Sequence, residues 1–239
     1  AIRAWLELGR VSNLPTVWAN VIHGLLAAYV YAVEAVQDER PTTDWMDFAN
    51  WLNQLFMLLV GMSLIYLGGM LLNDVCDAKI DAVERPTRPI PSGRVSRRRA
   101  AWIAGVLLVL GFATSLVYDN PQLPWWAGGL VSCVLLYNFT HRVPGVGLLL
   151  MPACRVLLVL TAAMVFPVPS ELWLTSVVYH AVAVGCYTEH WPRVVGYLIA
   201  AMPLVDAVFL YQLGMWPAAV FCVGCGLATL LGQRWIKGS

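Results

Sequence analysis

The chain has 239 residues, of which 59% are apolar and 12% are charged, and its formal net charge is +1. Because a soluble domain carries about 25% charged residues, this composition excludes an ordinary soluble protein and indicates an integral membrane protein. Apolar runs of about 18 to 22 residues recur along the chain, which is the length that crosses a bilayer core as a helix. We therefore expect an all-α polytopic membrane bundle, a single domain over residues 1–239, and no nucleic-acid partner.

Eight membrane-spanning helices are predicted from these apolar runs. In chain order they cover residues 14–33, 52–73, 100–118, 124–140, 146–166, 171–188, 194–213 and 215–233. Several prolines fall at or near the predicted edges, where a proline costs a helix least. The loop over residues 34–50 contains aromatic residues that are typical of a membrane interface.

Basic residues lie almost entirely on one side of the predicted spans. All except Arg40 and Arg155 fall before the first span, after the last one, or in the loops that follow spans two, four and six. Loops rich in lysine and arginine stay in the cytoplasm. We therefore expect a multi-pass protein of the bacterial inner membrane, with both termini and the loop after span two in the cytoplasm.

The end of span two and the loop that follows it read NDVCDAKIDAVERPTRPIPSGRVSRRR. Four polar residues here recur at spacings of three and four, so that a helix would present them on one face. They are Asn73, Asp74, Asp77 and Asp81. Carboxylates about 6 Å apart at an effective dielectric near 20 repel each other by roughly 3 kcal/mol per pair. This pattern predicts a Mg²⁺ site shared with substrate phosphates, since Mg²⁺ prefers oxygen ligands of both kinds; the alternative is a solvated helix end with ordinary charge pairing.

Arginines follow this acidic segment, and one more lies inside a predicted span. Arg85, Arg88 and Arg94 are candidates to contact the same phosphates, because a guanidinium group matches phosphate geometry. Arg155 falls within span five, where a charge is costly unless it faces a cavity or a partner. Two interpretations of Arg155 stay open: a contact to a substrate diphosphate, or a structural ion pair with a carboxylate.

Other polar residues inside the predicted spans are assigned no chemistry. Asp206 in span seven would pair with Arg155, point into a cavity, or reach an outer edge of the membrane. His23 and His180 are expected to be structural residues with satisfied hydrogen bonds. Asn13, just before span one, would cap that helix or face the site.

The acidic segment, with the run ERPTRPIPSG inside it, resembles the first aspartate-rich motif of the UbiA superfamily of intramembrane prenyltransferases. The opening run RVSNLPTVWAN resembles the first helix of that family. Tyr137, with His141 and Arg142, resembles a tyrosine-and-base feature after its fourth span. The run ACRVLLVL around Arg155 resembles an EboC-like branch. Together these likenesses extend over most of the first 165 residues.

The resemblance implies a helical bundle around a central cavity that is open to lipid. Members of the family bind an isoprenyl diphosphate through Mg²⁺ at two aspartate-rich motifs, ionise the allylic carbon–oxygen bond and attach the prenyl group to an acceptor. Such catalysis stabilises a leaving pyrophosphate electrostatically in a site that excludes water. The partners implied for this chain are an isoprenyl diphosphate, a small-molecule acceptor and membrane lipid.

The resemblance also implies roles for individual residues. The implied metal ligands are Asn73, Asp74, Asp77, Asp81 and Glu189. The implied substrate contacts are Asn73, Arg85, Arg88, Arg94, Tyr137, Arg142, Glu189 and Arg193. Catalysis is expected to depend on Asp74, Asp77, Asp81 and Arg155.

The chain departs from the family pattern after span six. The second aspartate-rich motif belongs there, yet residues 186–193 read CYTEHWPR with a single acid, Glu189. Glu189 would hold a second Mg²⁺, and Arg193 would substitute for part of the metal's charge. Two functions therefore stay open: a Mg²⁺-dependent transferase with an aromatic, quinone-precursor or hydroxyl acceptor, or a catalytically reduced relative that binds or carries a prenyl-lipid without transfer.

Overall fold

The computed structural model describes residues 2–35, 45–143, 145–166, 178 and 192–236, and these residues form eight α-helices and no β-strand. The helices are α1 (Ile2–Leu8), α2 (Leu14–Ala35), α3 (Trp45–Glu84), α4 (Arg97–Ala113), α5 (Leu123–Thr140), α6 (Val146–Ala163), α7 (Pro192–Gln212) and α8 (Trp216–Trp235). A short 3-10 helix over Val11–Asn13 precedes α2, and another over Thr114–Val117 follows α4.

Every predicted span except 171–188 coincides with a described helix, and 171–188 lies outside the described residues. Five helical segments are long and apolar enough to cross a membrane: Val11–Val33, Ala49–Glu84, Arg97–Val117, Val195–Gln212 and Trp216–Trp235. The helices at the predicted spans 124–140 and 146–166 are not among these five, and α6 contributes a shorter apolar stretch, Leu149–Ala163. The described part of the chain is thus an all-α membrane bundle.

Helix α3 is much longer than the predicted span 52–73. It contains 40 residues and is therefore about 60 Å long, twice the thickness of a bilayer core. Residues 74–84, which include four acids and one lysine, prolong the helix because they contain no proline or glycine, and Pro86 prevents it from continuing. The acidic residues therefore lie on the last turns of a membrane helix.

Apolar side chains and close backbone contacts hold the helices together. Val21 of α2, Leu58 of α3 and Leu130 of α5 belong to one buried core cluster. A Cβ atom at Gly24 of α2 would collide with the carbonyl oxygen of Val159 in α6. The absence of a side chain at Gly24 therefore lets α2 and α6 approach closely, which brings polar residues of the two helices within hydrogen-bonding reach.

Large apolar side chains cover the outside of the bundle. Trp102 of α4 and Trp125 of α5 are 70% and 82% exposed, and Val109 and Tyr211 are similarly open. In water such a surface would promote aggregation, whereas in a bilayer the acyl chains cover it. The exposed apolar surface therefore supports placement of the bundle within a membrane.

Candidate functional site

The last turns of α3 carry the acidic face that the sequence predicts. Asn73, Asp74 and Asp81 are nearly buried, with 7%, 5% and 5% of their surfaces exposed, and Asp77 is half-buried. Helix α1 and the residues before α4 pack around Val75 of the same helix and limit access of water. Carboxylates in such a position require a counter-charge.

Two arginines from distant parts of the chain provide that counter-charge. Arg88 Nη1 donates to Asp81 Oδ2 at 2.7 Å and to Asp74 Oδ1 at 3.4 Å. Arg10 Nη2 donates to Asp74 Oδ1 at 3.4 Å and to Asn73 Oδ1 at 3.2 Å. Ordinary charge pairing, which was the alternative to a metal site in the sequence analysis, is therefore present at this helix end. The guanidinium groups keep the acidic side chains close together.

The segment between α3 and α4 turns back over the acidic face. Pro86 interrupts the helix, and the backbone N–H of Arg88 bonds to the carbonyl oxygen of Arg85 at 3.0 Å. Ser92 N–H then bonds to the Arg88 carbonyl oxygen at 3.0 Å, and Gly93 takes a left-handed conformation with φ 73°. These consecutive turns return the Arg88 side chain to the helix that it follows.

Asp77 contacts residues at the end of α5. Arg142 Nη2 donates to Asp77 Oδ1 at 2.7 Å and to the Cys76 carbonyl oxygen at 2.9 Å. His141 Nε2 lies 3.3 Å from the same carboxylate oxygen, and the His141 ring stacks on Tyr137 with centroids 5.3 Å apart. The hydrogen bond and the charge of Asp77 raise the pKa of Arg142, so this guanidinium stays charged. The tyrosine-and-base feature thus adjoins the acidic face.

A cavity of about 140 Å³ lies beside the acidic face, between the 3-10 helix before α2 and helices α3, α5, α6 and α7. Its polar lining comprises Arg10, Asn13, Tyr66, Asn73, Tyr137, Asn138 and Arg155, and its apolar lining includes Ile65, Met70, Leu130, Val134 and Leu158. Of the four predicted ligands on α3, Asn73 alone lines it in the part of the chain that the structure describes. Arg10 and Asn73 therefore connect the cavity with the acidic face.

Arg155 lies in the cavity wall with its guanidinium group held by neutral oxygen atoms. Nη1 donates to Asn20 Oδ1 and Nη2 donates to Thr16 Oγ1, each at 3.1 Å. The Tyr66 ring lies beneath the guanidinium carbon, 5.9 Å from the ring centroid. Among the described residues no carboxylate lies within ion-pair distance of Arg155, so the direct structural ion pair is not found there.

Asp206 contacts α2 instead of Arg155. Asn20 Nδ2 donates to Asp206 Oδ2 at 2.9 Å, and His23 Nδ1 lies 2.7 Å from Asp206 Oδ1. Asp206, Asn20 and His23 have no exposed surface. His23 thus has a hydrogen-bond partner at Nδ1, its structural role stays a prediction, and His180 lies outside the described residues.

The sequence that forms this site matches a known protein family along most of its length. The sequence model of the UbiA prenyltransferase family matches residues 26–236. The chain belongs to this family. The resemblance inferred from the first aspartate-rich motif is therefore confirmed.

The UbiA-family relatives include archaeal enzymes. Digeranylgeranylglyceryl phosphate synthase of Sulfolobus acidocaldarius is 32% identical over 149 residues, which cover 62% of this chain and 46% of that protein. The synthase of Ignicoccus hospitalis is 28% identical over 213 residues, which cover 89% of this chain and 56% of that protein. The chain spans about half the length of the curated relatives that it matches.

Solved structures of UbiA-type proteins share the fold. A structure of a digeranylgeranylglyceryl phosphate synthase matches 98% of this chain and 99% of its own with a TM-score of 0.62 and 16% identity. A UbiA homologue from Archaeoglobus fulgidus, bound to GPP and Mg²⁺, matches 98% of this chain and 87% of its own with a TM-score of 0.59 and 13% identity. At these identities the likeness shows the UbiA-type membrane bundle.

The oxygen atoms on the acidic face of α3 suit a hard cation that also binds oxygen atoms of a ligand. Within the described ranges, no group of three or more histidine, cysteine or acidic side chains is arranged to hold a metal by itself. The face supplies oxygen atoms from Asn73 and three aspartates, which are the atoms that Mg²⁺ prefers. Since Mg²⁺ is usually bound by one or two carboxylates together with phosphate oxygens, these residues fit Mg²⁺ that is shared with a phosphate ligand.

The structure describes no contact of four predicted site residues with the acidic face or the cavity. Arg94 donates to Glu7 Oε2 at 2.9 Å and to the Thr87 carbonyl oxygen at 2.8 Å. Arg85 is exposed on the protein surface. Glu189 lies outside the described residues, as does the side chain of Arg193 at the start of α7. Phosphate contacts by these four residues stay predictions.

Sequence reasoning did not identify Arg10 as a site residue. Its positive charge contributes to the predicted membrane orientation, but its contact to Asp74 joins residues 64 positions apart. One signal was available, since Arg10 opens the run RVSN that resembles the first helix of the UbiA superfamily.

Proposed function

We infer that this chain is a Mg²⁺-dependent intramembrane prenyltransferase that moves an isoprenyl group from an isoprenyl diphosphate to a hydroxyl group of a glyceryl phosphate lipid. The observation that carries this proposal is the cavity that joins apolar walls to Arg10 and Asn73 of the acidic face. An isoprenyl diphosphate has the same two parts, an anionic head and an apolar tail. Of the aromatic, quinone-precursor and hydroxyl acceptors expected from the sequence, the names of the relatives favour a hydroxyl acceptor, here on a glyceryl phosphate.

The proposed Mg²⁺ ligands are Asn73, Asp74, Asp77 and Asp81, with Glu189 for a second ion. Mg²⁺ bound there would neutralise charge on the departing pyrophosphate. Arg10 and Arg88 hold the carboxylates in place before substrate binds, so little reorganisation accompanies the reaction. This preorganisation supports cleavage of the bond between the allylic carbon and the diphosphate oxygen.

The cavity residues bind and orient the substrate. Arg155 and Arg10 direct positive charge towards the diphosphate, while Ile65, Val134 and Leu158 surround the prenyl tail. Tyr137 lines the same cavity, where an aromatic residue favours a nearby cationic allylic carbon. The apolar walls exclude water that would otherwise capture the carbocation.

The remaining substrate contacts surround the acidic face. Arg142 anchors Asp77, and Arg88 bridges Asp74 and Asp81. Further phosphate contacts are proposed for Arg85, Arg94 and Arg193. We propose one domain over residues 1–239. By the positive-inside rule, both termini and the acidic face lie on the cytoplasmic side of a cell membrane such as the bacterial inner membrane.

The proposal is tested by measuring pyrophosphate release from the purified full chain in lipid nanodiscs. The donors are geranyl, farnesyl and geranylgeranyl diphosphate, and the acceptors are geranylgeranylglyceryl phosphate and 4-hydroxybenzoate. We expect release and product formation with the glyceryl phosphate acceptor, loss with EDTA, and recovery when Mg²⁺ is restored. Absence of Mg²⁺-dependent release with every donor contradicts the transferase proposal, and retained diphosphate lipid without turnover supports the reduced, lipid-carrying alternative.

A further inference from the structure

A continuous series of hydrogen bonds inside the bundle connects the cavity to a buried carboxylate. Arg155 Nη1 donates to Asn20 Oδ1 at 3.1 Å, and Asn20 Nδ2 donates to Asp206 Oδ2 at 2.9 Å. His23 Nδ1 lies 2.7 Å from the other Asp206 oxygen. Only Arg155 in this series lines the cavity, and the other three residues have no exposed surface. Asp206 therefore reaches the cavity through Asn20 and Arg155.

The hydrogen-bond directions in this series are set by Asp206. A carboxylate accepts only, so the amide of Asn20 must direct its NH₂ group towards Asp206 and its oxygen towards Arg155. That orientation gives Arg155 an acceptor at Nη1, while Thr16 provides one at Nη2, 3.1 Å away. If the hydrogen bond to Asp206 did not fix the Asn20 amide, the amide could rotate by about 180°. Its NH₂ group would then face the N–H donors of the Arg155 guanidinium, and the two donor groups would repel each other.

The charges along the series also favour this interpretation. His23 Nε2 has no hydrogen-bond partner among the described residues, and the ring packs on Phe209 with centroids 4.8 Å apart. Among the described residues, the ring therefore makes its hydrogen bond through Nδ1, to Asp206. The Asn20 amide stands between the Arg155 guanidinium and the Asp206 carboxylate and bonds to both. A carboxylate bound directly to Arg155 would occupy its N–H donors and offset its positive charge. The bridge through Asn20 instead leaves the remaining N–H donors of Arg155 available to an anion.

We propose that Asp206 is a positioning residue that, through Asn20, holds the Arg155 guanidinium in the orientation that binds the substrate diphosphate. This inference rests on the proposed function, because it requires a diphosphate in the cavity. Asp206 itself touches no substrate. His23 contacts the other oxygen of the Asp206 carboxylate, so the series ends in a buried pair.

The test is a double-mutant cycle on the binding of geranylgeranyl thiodiphosphate, with Mg²⁺, to the detergent-solubilised full chain. Arg155→Met is expected to raise the Kd about 10- to 100-fold, the usual effect of losing hydrogen bonds to a charged group. Asp206→Asn removes charge while keeping shape, and is expected to raise the Kd about 5- to 10-fold. In the double variant the Kd should equal that of Arg155→Met alone, because Asp206 acts only through Arg155.

The matched control is Asp119→Asn, which removes a carboxylate from an exposed position and should leave the Kd unchanged. If Asp206→Asn does not fold, Asn20→Leu breaks the bridge while leaving the Asp206–His23 pair, and the same Kd pattern is expected. An unchanged Kd in Asp206→Asn overturns the positioning role. The same holds if Asp206→Asn raises the Kd of the Arg155→Met variant by the same factor as it raises the Kd of the wild type. Failure of the wild-type chain to bind the analogue contradicts the proposed function itself.

Discussion

Asp77→Asn is expected to reduce pyrophosphate release about 10²- to 10³-fold, the range seen when one transition-state charge contact is removed. Of the proposed Mg²⁺ ligands that the structure describes, this carboxylate has the greatest access to solvent, since 18% of its side chain is exposed. Its partner Arg142 is 48% exposed and is solvated without it. The thermal unfolding midpoint should therefore stay close to that of the wild type while activity is lost.

Pyrophosphate release across a Mg²⁺ titration provides the measurement for Asp77→Asn. The matched control is Glu84→Gln, an exposed acid at the end of the same helix that lies three positions beyond Asp81. Glu84→Gln should retain wild-type activity. Activity of Asp77→Asn within a few-fold of the wild type, at saturating donor, would contradict the assignment of Asp77 to the metal site.

Arg88→Met is expected to lower the free energy of unfolding by about 3 to 5 kcal/mol, the usual result of removing one partner from a buried ion pair. The Arg88 side chain is 16% exposed and serves the carboxylates of Asp74 and Asp81, whose side chains are each 7% exposed. Without the guanidinium these carboxylates repel each other in a region of low dielectric. Mg²⁺ should raise the unfolding midpoint of this variant more than that of the wild type, because it replaces the missing charge.

Thermal unfolding in detergent, with and without Mg²⁺, measures the effect of Arg88→Met. Arg94→Met is the control from the same loop: its pair with Glu7 is 44% and 20% exposed, and such pairs contribute about 0 to 1 kcal/mol. Equal unfolding midpoints for the two variants would show that Arg88 does not compensate a buried acidic pair.

The acidic face was predictable because its cause is local. Spacings of three and four place Asn73, Asp74, Asp77 and Asp81 on one side of any α-helix. The length of α3 was not predicted, because the apolar run defines how far the helix lies in lipid and gives no signal for its end. Pro86 provides that signal, and it lies 13 positions beyond the predicted end at residue 73.

The partners of the buried charges depend on contacts between distant segments, which composition and periodicity do not specify. Asp206 and His23 are 183 positions apart, and Arg155 and Asn20 are 135 positions apart. The sequence indicated that each intramembrane charge needs a partner, but it left the choice open. Contacts of this kind follow from which helices pack together, and small residues such as Gly24 allow that packing.

The most direct test of the account is an experimental structure of the full chain with Mg²⁺ and geranylgeranyl thiodiphosphate. The diphosphate should lie between Arg10, Asn73 and the aspartates of α3, with Mg²⁺ bridging its oxygens to at least one carboxylate. The prenyl tail should extend into the cavity beside Val134 and Leu158. A ligand bound outside this cavity, or aspartates that keep only their arginine contacts while the ligand is bound, would contradict the account.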